Sequence, residues 1–271
     1  MANLKSDRIG EHNTNWQGLN MVIIEYRSCM DIDVRFNDSG YIATNKQYVK
    51  FLDGGITDKY YPTFLGVGYI GDTKTCFNGE IKPSYISWSN MLSRCYDPKY
   101  QERNPSYKGV NVRPDFLCFE NFEKWYNDNV YVLDNGESLH LDKDLFSLDG
   151  IKMYSPNNCC LLPSAINTLL EQLKKQGYTV NEDGTCNINI QWNNELFYKD
   201  TVANETIAKE VRNCLLADRL RLYAEDYIYL GMPSHIYLQI YNLTSQLYPL
   251  VDKLSPYVDK DKLFPNAKNK K

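Results

Sequence analysis

The chain has no long apolar run and no cluster of residues suited to a structural metal. No stretch of about eighteen apolar residues occurs, which argues against a membrane-spanning helix, and the polar residues 1–15 argue against a signal peptide. The eight cysteines form no CxxC pair and no Cys/His cluster, so we expect reduced, mostly buried thiols and no zinc site. We therefore expect a protein that stays in the cytoplasm, where it is made, and has no membrane partner.

The chain also has no excess of basic residues. It carries 30 Lys and Arg against 34 Asp and Glu, a formal net charge of -4, and only the tail at residues 246–271 is basic. Proteins that bind DNA normally display a basic surface, because counterions released from the phosphates supply much of the binding free energy. The charge balance therefore disfavours DNA binding, although a local basic face would still permit it.

The overall composition is that of a globular protein with two or three small domains. Hydrophobic residues make up 43% of the 271 residues, charged residues 24%, and the mean hydropathy is -0.51. At residues 19–26 and 32–36 apolar side chains recur with a period of two, and a turn cluster follows at 37–40. This pattern predicts a β-meander or a small barrel at the beginning of the chain.

Helices are predicted in the middle region, where apolar side chains recur at helical spacing. The positions are Trp88, Met91, Leu92 and Cys95 in one segment, and Phe119, Phe122, Trp125 and Tyr126 in another. Burial of an aromatic side chain is among the larger single stabilising contributions, so we expect both faces in the core.

A hairpin and a long helix are predicted after residue 175. Residues 186–193 alternate strictly, a turn follows at 194–195, and 196–198 run back as the second strand. Apolar residues at spacings of three and four then predict a helix from about Val202 to Tyr227. The exposed face of the first strand carries Asn187, Asn189 and Gln191, with Trp192 on the inward face.

Five motifs follow one another in the middle region: WSNMLSRCY at 88–96, NPSYKGVNV at 104–112, FENFEKWYNDN at 119–129, LDKDL at 141–145 and YSPNNC at 154–159. In this order they resemble the HNH-type endonuclease-like proteins of bacteriophages. Three strands and a helix after residue 175 resemble the AP2-like DNA-binding domain that such proteins often carry. The resemblance implies an α+β fold of four segments: a small β module at 1–74, an HNH-like domain containing a ββα core at 75–174, an AP2-like domain at 175–245 and a tail at 246–271.

The resemblance assigns roles to four residues. Asp142 matches the metal-binding carboxylate, Lys143 the general-base histidine, Asn158 the orienting asparagine and Asn167 the final metal ligand. An HNH site cuts a phosphodiester with one divalent metal and a neutral imidazole that deprotonates water. A lysine ammonium offers donors and no acceptor, so it can neither take a proton nor bind a cation. The essential base is therefore missing from this site.

Two neighbouring residues bear on whether any activity remains. His140 could replace the base, but along a strand it would point away from Lys143, because side chains alternate between the two faces. Asp142 and Asp144 would share one strand face, which leaves open either a weak Mg²⁺ site or a solvated pair of carboxylates. No cofactor is therefore assigned, apart from Mg²⁺ if nuclease activity is retained.

The predicted sheet face also departs from the AP2 pattern. Such a sheet reads the major groove with arginines and a tryptophan, whereas Asn187, Asn189 and Gln191 would read adenine edges without neutralising a phosphate. An uncharged face also suits a protein contact, where charged residues are depleted at the centre.

Two functional hypotheses follow from these observations. The first is a non-catalytic phage protein that binds a host protein or nucleoprotein and inhibits nucleic-acid-targeting defence, such as a CRISPR or restriction complex. Its acidic surface would mimic phosphate charge. The second is a metal-dependent homing or nicking endonuclease that binds duplex DNA. A sequence-specific DNA-binding protein without cutting activity lies between them.

Overall fold

A computed structural model describes residues 8–147, 152–192 and 195–247, with the backbone alone at residues 192 and 195. The chain divides into two compact units, Met1–Asn127 with Met153–Ser155, and Asp128–Lys152 with Pro156–Lys271. Both contain helices and small, mostly antiparallel sheets, which confirms the mixed α and β class. The four segments drawn from the sequence stay a prediction, because compactness does not show which segments fold alone.

The first unit begins with a four-stranded antiparallel sheet, whose strands β1 (His12–Thr14), β2 (Asn20–Ser28), β3 (Asp31–Phe36) and β4 (Ile42–Lys46) lie in chain order. This arrangement confirms the predicted β-meander. The alternating apolar side chains of the strands pack with the short helix α1 (Tyr48–Leu52). Their core includes Met21, Ile23, Ile32, Val34, Phe36 and Phe51.

The rest of the first unit consists of short strands and helices around an aromatic core. Its elements up to residue 129 are β5 (Cys76–Phe77), β6 (Glu80–Ile81), α2 (Pro83–Tyr96), α3 (Pro98–Arg103), a 3₁₀ turn (Pro105–Tyr107), β7 (Asn111–Val112), α4 (Pro114–Leu117) and α5 (Phe119–Asn129). The next strand along the chain, β8 (Leu139–Asp142), belongs to the second unit. The strand after it, β9 (Met153–Tyr154), belongs to the first unit and pairs in parallel with β7. Trp88 and Phe119 are fully buried with ring centroids 5.5 Å apart. The first predicted helix face is buried as expected, and so are Phe119 and Phe122 of the second, whereas Trp125 and Tyr126 are only half-buried.

Over its described residues, the second unit contains two sheets and three helices around one hydrophobic core. After β8 come β10 (Cys160–Pro163), α6 (Ser164–Leu173), β11 (Tyr178–Val180), β12 (Cys186–Trp192), β13 (Glu195–Val202), α7 (Glu205–Tyr229) and α8 (Ser234–Leu247). β8 pairs antiparallel with β10, and β11, β12 and β13 form an antiparallel sheet in that order. The shared core includes Leu162, Ile166, Leu169, Ile188, Val211, Leu215, Leu220 and Ile240.

Helix α7 begins three residues later than its apolar pattern predicts. Val202 is the last residue of β13, and the side chain of Asn204 accepts a hydrogen bond from the backbone N–H of Ile207 at 3.0 Å, which caps the helix. In the part of the chain that the structure describes, no helix is long and apolar enough to cross a membrane.

A buried arginine connects α6 to α7. Arg212 is 5% exposed and donates a hydrogen bond to the carbonyl of Gln172, in the last turn of α6, where carbonyls lack intrahelical partners. Burial lowers the pKa of the guanidinium. Gly177 lies directly against this side chain with φ +62°, and a Cβ atom there would overlap the guanidinium.

Replacing Gly177 with alanine should therefore destabilise the second unit more than the same change at Gly184. Gly184 also has a positive φ, +82°, but no atom lies within 4 Å of a Cβ built there. Backbone strain should cost about 1–2 kcal/mol at each position, and overlap with Arg212 about 1–3 kcal/mol more at Gly177. Urea unfolding of both variants measures the difference, and equal losses would contradict the packing described here.

Candidate functional site

Asp142, the predicted metal-binding carboxylate, holds the turn that follows β8. Its side chain is buried, and Oδ2 accepts hydrogen bonds from the backbone N–H groups of Asp144 and Leu145, both at 2.8 Å. Burial raises the pKa of Asp142 even though these two bonds oppose the shift. The carboxylate therefore satisfies backbone donors that would otherwise be buried without a partner.

Lys143, at the predicted position of the general base, is an ion-paired cation. Its Nζ lies 2.7 and 2.8 Å from the two carboxylate oxygens of Asp144, and Lys174 Nζ lies 2.6 Å from one of them. Burial acts to raise the pKa of Asp144, but the two ammonium groups outweigh it and hold that pKa below its ordinary value. The prediction that Asp142 and Asp144 share a strand face is wrong, because the strand ends at Asp142 and the chain turns.

The other candidate residues lie on β8, before β10 and on α6. His140 lies on β8 opposite Leu162 and is exposed, Asn158 is half-buried before β10, and Asn167 is half-buried on α6, which packs against β8. Within the described residues, no hydrogen bond joins Asp142 to Asn167. The structure thus brings Asp142, Lys143 and Asp144 together.

These residues do not fit a divalent cation. One oxygen of Asp142 already accepts two backbone hydrogen bonds, and Asp144 is neutralised by two lysines whose charge would repel a metal ion. Over residues 8–147, 152–192 and 195–247, no three His, Cys, Asp or Glu side chains are grouped as metal ligands would be. We therefore assign no catalytic step to Mg²⁺ at this site.

The predicted amide face is present on the three-stranded sheet. Asn187, Asn189 and Gln191 of β12 are exposed, whereas Ile188 and Ile190 between them are buried, as the alternation predicts. The position predicted for the Trp192 side chain lies outside the described residues, and so does most of the basic tail.

The three amides differ in how far their neighbours use them. Asn187 donates to Asn181 Oδ1 at 2.8 Å and accepts from Thr201 Oγ1 at 2.7 Å. The side chains of Asn189 and Gln191 have no hydrogen-bond partner among the described residues. These two amides are therefore the ones available to a binding partner.

Sequence reasoning missed a cation on the same face. Lys199 of β13 lies directly opposite Asn189 in the antiparallel register, is exposed, and forms no ion pair in the described part of the chain. The polar side chains that line an open concavity here include Thr179, Asn187, Asn189, Lys199, Asp200 and Thr201. Counting back from the turn predicted at 194–195 would place Lys199 opposite the buried Ile190. The observed register depends on a β-bulge between Ile190 and Gln191, which the sequence pattern does not show.

The chain matches no protein-family model, no curated protein and no solved structure. The second unit contains two antiparallel strands followed by a helix, β8, β10 and α6, and a three-stranded sheet followed by α7. Such small arrangements do not identify a family. The relationship to phage HNH-type proteins therefore stays a prediction from the motifs.

Replacing Asp142 or Asp144 with asparagine should change stability with opposite dependence on pH. The pKa of Asp142 is raised above its ordinary value of 3.8, so its contribution to stability is present below that pH and lost as pH rises. The pKa of Asp144 is lowered from 3.8, so its contribution is present above that pH and lost as pH falls.

Urea unfolding at pH values of about 3, 5 and 7 tests both signs. Relative to the unsubstituted protein, Asp142→Asn should become more stable as pH rises, whereas Asp144→Asn should lose roughly 1–2 kcal/mol at neutral pH and less in acid. The same direction of change for both variants would refute the assigned ion pairs and burial.

Proposed function

We propose that the protein is a non-cutting binding protein on an HNH- and AP2-like scaffold. Its target is a host protein or nucleoprotein, and it acts as an inhibitor of nucleic-acid-targeting defence. The motifs in the middle of the chain carry the link to phage proteins, and the net charge of -4 suits a protein that occupies a DNA-binding channel.

One observation carries the non-catalytic part of this proposal. At the HNH positions, the Asp142 carboxylate accepts backbone hydrogen bonds and Lys143 pairs with Asp144. A general base needs a free lone pair within reach of water, and a metal site needs uncommitted oxygens. Lys143 is held in an ion pair, and Oδ2 of Asp142 is bonded to the backbone.

The sheet face supports the binding part. Asn189 and Gln191 are exposed amides without partners among the described residues, and a single cation, Lys199, lies beside Asn189. The centre of a protein interface is depleted of lysine and acidic residues, and a typical interface carries about ten direct hydrogen bonds, which exposed amides can form. The face matches that pattern better than a phosphate-binding surface, which needs several cations.

The purified protein should leave supercoiled plasmid intact in the presence of Mg²⁺ or Mn²⁺, because neither a base nor a metal site is available. Lys143→His should not restore cleavage, since Asp142 remains bonded to the turn. Agarose-gel assay of plasmid nicking measures both.

A different outcome would support the endonuclease alternative. Metal-dependent nicking that is lost in His140→Ala and retained in His12→Ala would show that His140 acts as the base. His12 is a matched control because it is also exposed, but lies in the other unit.

Gln191→Arg should weaken capture of the target at least about tenfold, because it removes an exposed amide and adds a second positive charge to a face that carries Lys199. Asn242→Arg is the control, since Asn242 is an exposed amide on α8 of the same unit. Capture from lysate of the bacterial host, after nuclease digestion, is quantified for both variants. Equal capture by the two would argue against the sheet face as the contact.

Direct binding of duplex DNA by the sheet is the second candidate, and Lys199 opposite Asn189 favours it. Amides can form bidentate hydrogen bonds with adenine while a neighbouring lysine contacts a phosphate. If the sheet binds duplex DNA, Gln191→Arg should strengthen that binding, whereas the first candidate predicts weaker capture of a protein target. The two candidates thus predict opposite effects of one substitution.

A further inference from the structure

A second group of cations lies in the first unit. Four cations fall within residues 94–108. They are Arg94 at the end of α2, Lys99 and Arg103 on α3, and Lys108 after the 3₁₀ turn. None of the four forms an ion pair within the described residues, in contrast to Arg27, which pairs with two aspartates. We call these four residues the basic patch.

Packing holds the patch together. The Arg94 guanidinium hydrogen-bonds with the hydroxyl of Tyr154 and lies 5.8 Å from the ring centroid of Tyr107. Tyr107 contacts Tyr100 of α3 edge to face, with centroids 5.7 Å apart. Contacts among Arg94, Tyr107 and Tyr100 therefore join three elements: the last turn of α2, helix α3 and the 3₁₀ turn.

The exposed cations are arranged close to one another. Lys99 and Arg103 are four residues apart on α3, and Arg103 Nε donates to the Lys99 carbonyl at 3.2 Å. Side chains at this spacing lie on one face of a helix, and like charges there destabilise it slightly. Lys108 is exposed and follows Tyr107 directly.

The local acids do not neutralise the patch. Asp97 is the only carboxylate of the segment with a backbone partner, accepting from the N–H of Lys99 at 2.9 Å as the cap of α3, and Glu102 is exposed without an ion pair. Two acids against four bases leave an excess of positive charge on a chain whose overall charge is negative. An external polyanion would relieve the repulsion.

We propose that the basic patch binds the phosphate backbone of duplex DNA without reading its sequence. Several cations held on one packed segment suit a ligand whose charges repeat at short, regular intervals, and binding would release condensed counterions. The partner chemistry follows from charge complementarity. The inference does not depend on the target proposed for the sheet face, which lies in the other unit.

Fluorescence anisotropy of a labelled duplex of about 20 base pairs, titrated with the full chain at about 50 and 200 mM salt, tests the proposal. The plot of log affinity against log salt has a negative slope, and the triple variant Lys99→Gln/Arg103→Gln/Lys108→Gln should make that slope shallower by about 2.7, at about 0.9 per lost phosphate contact. Affinity at the lower salt should fall at least about tenfold.

The matched control neutralises three exposed cations of the same unit that lie elsewhere, in Arg35→Gln/Lys74→Gln/Lys124→Gln. Equal losses in the two triple variants, or no binding by the unsubstituted protein at about 50 mM salt, would overturn the proposal. Binding to polyglutamate but not to DNA would likewise overturn it in favour of an acidic protein partner.

Two further readouts keep the test decisive. Lys108→Glu alone should weaken DNA binding more than Lys124→Glu, which covers the case in which the triple variant does not fold. Neutralising the basic patch should lower DNA affinity by the same factor whether or not Gln191→Arg is present. Failure of this inference and failure of the proposed function are therefore distinguishable.

Discussion

The two hydrogen bonds from backbone N–H groups to the Asp142 carboxylate determine the chemistry available at the end of β8. They turn the chain directly after the strand, so that Lys143 pairs with Asp144 and Asp144 reaches Lys174 at the end of α6. A buried carboxylate is unfavourable unless hydrogen bonds compensate for lost solvation. Here the backbone supplies part of that compensation, and burial still raises the pKa of Asp142.

The two surfaces that can bind a partner differ in the number of charged side chains they carry, which the net charge of the whole chain does not show. The sheet face of the second unit offers amides and the single cation Lys199, whereas the basic patch of the first unit concentrates four cations without ion pairs among the described residues. A net charge of -4 conceals this difference.

Local patterns predicted the elements better than they predicted how distant segments meet. Alternation identified β2, β3 and β12, because the period of two follows directly from strand geometry. The beginning of α7 was missed because Val202 satisfies both a strand and a helix pattern, and only the Asn204 cap decides between them. The pairing of β7 with β9 depends on contacts between distant segments, which local periodicity does not encode.

The candidate site was predictable in composition and not in geometry. The missing base at Lys143 is visible in the sequence, but the turn that commits Asp142 to the backbone is not. Anomalous diffraction from crystals soaked in Mn²⁺ tests the central claim most directly, because it locates a bound ion without requiring activity. The account predicts no anomalous peak at Asp142, whereas a peak between Asp142 and Asn167 would contradict it.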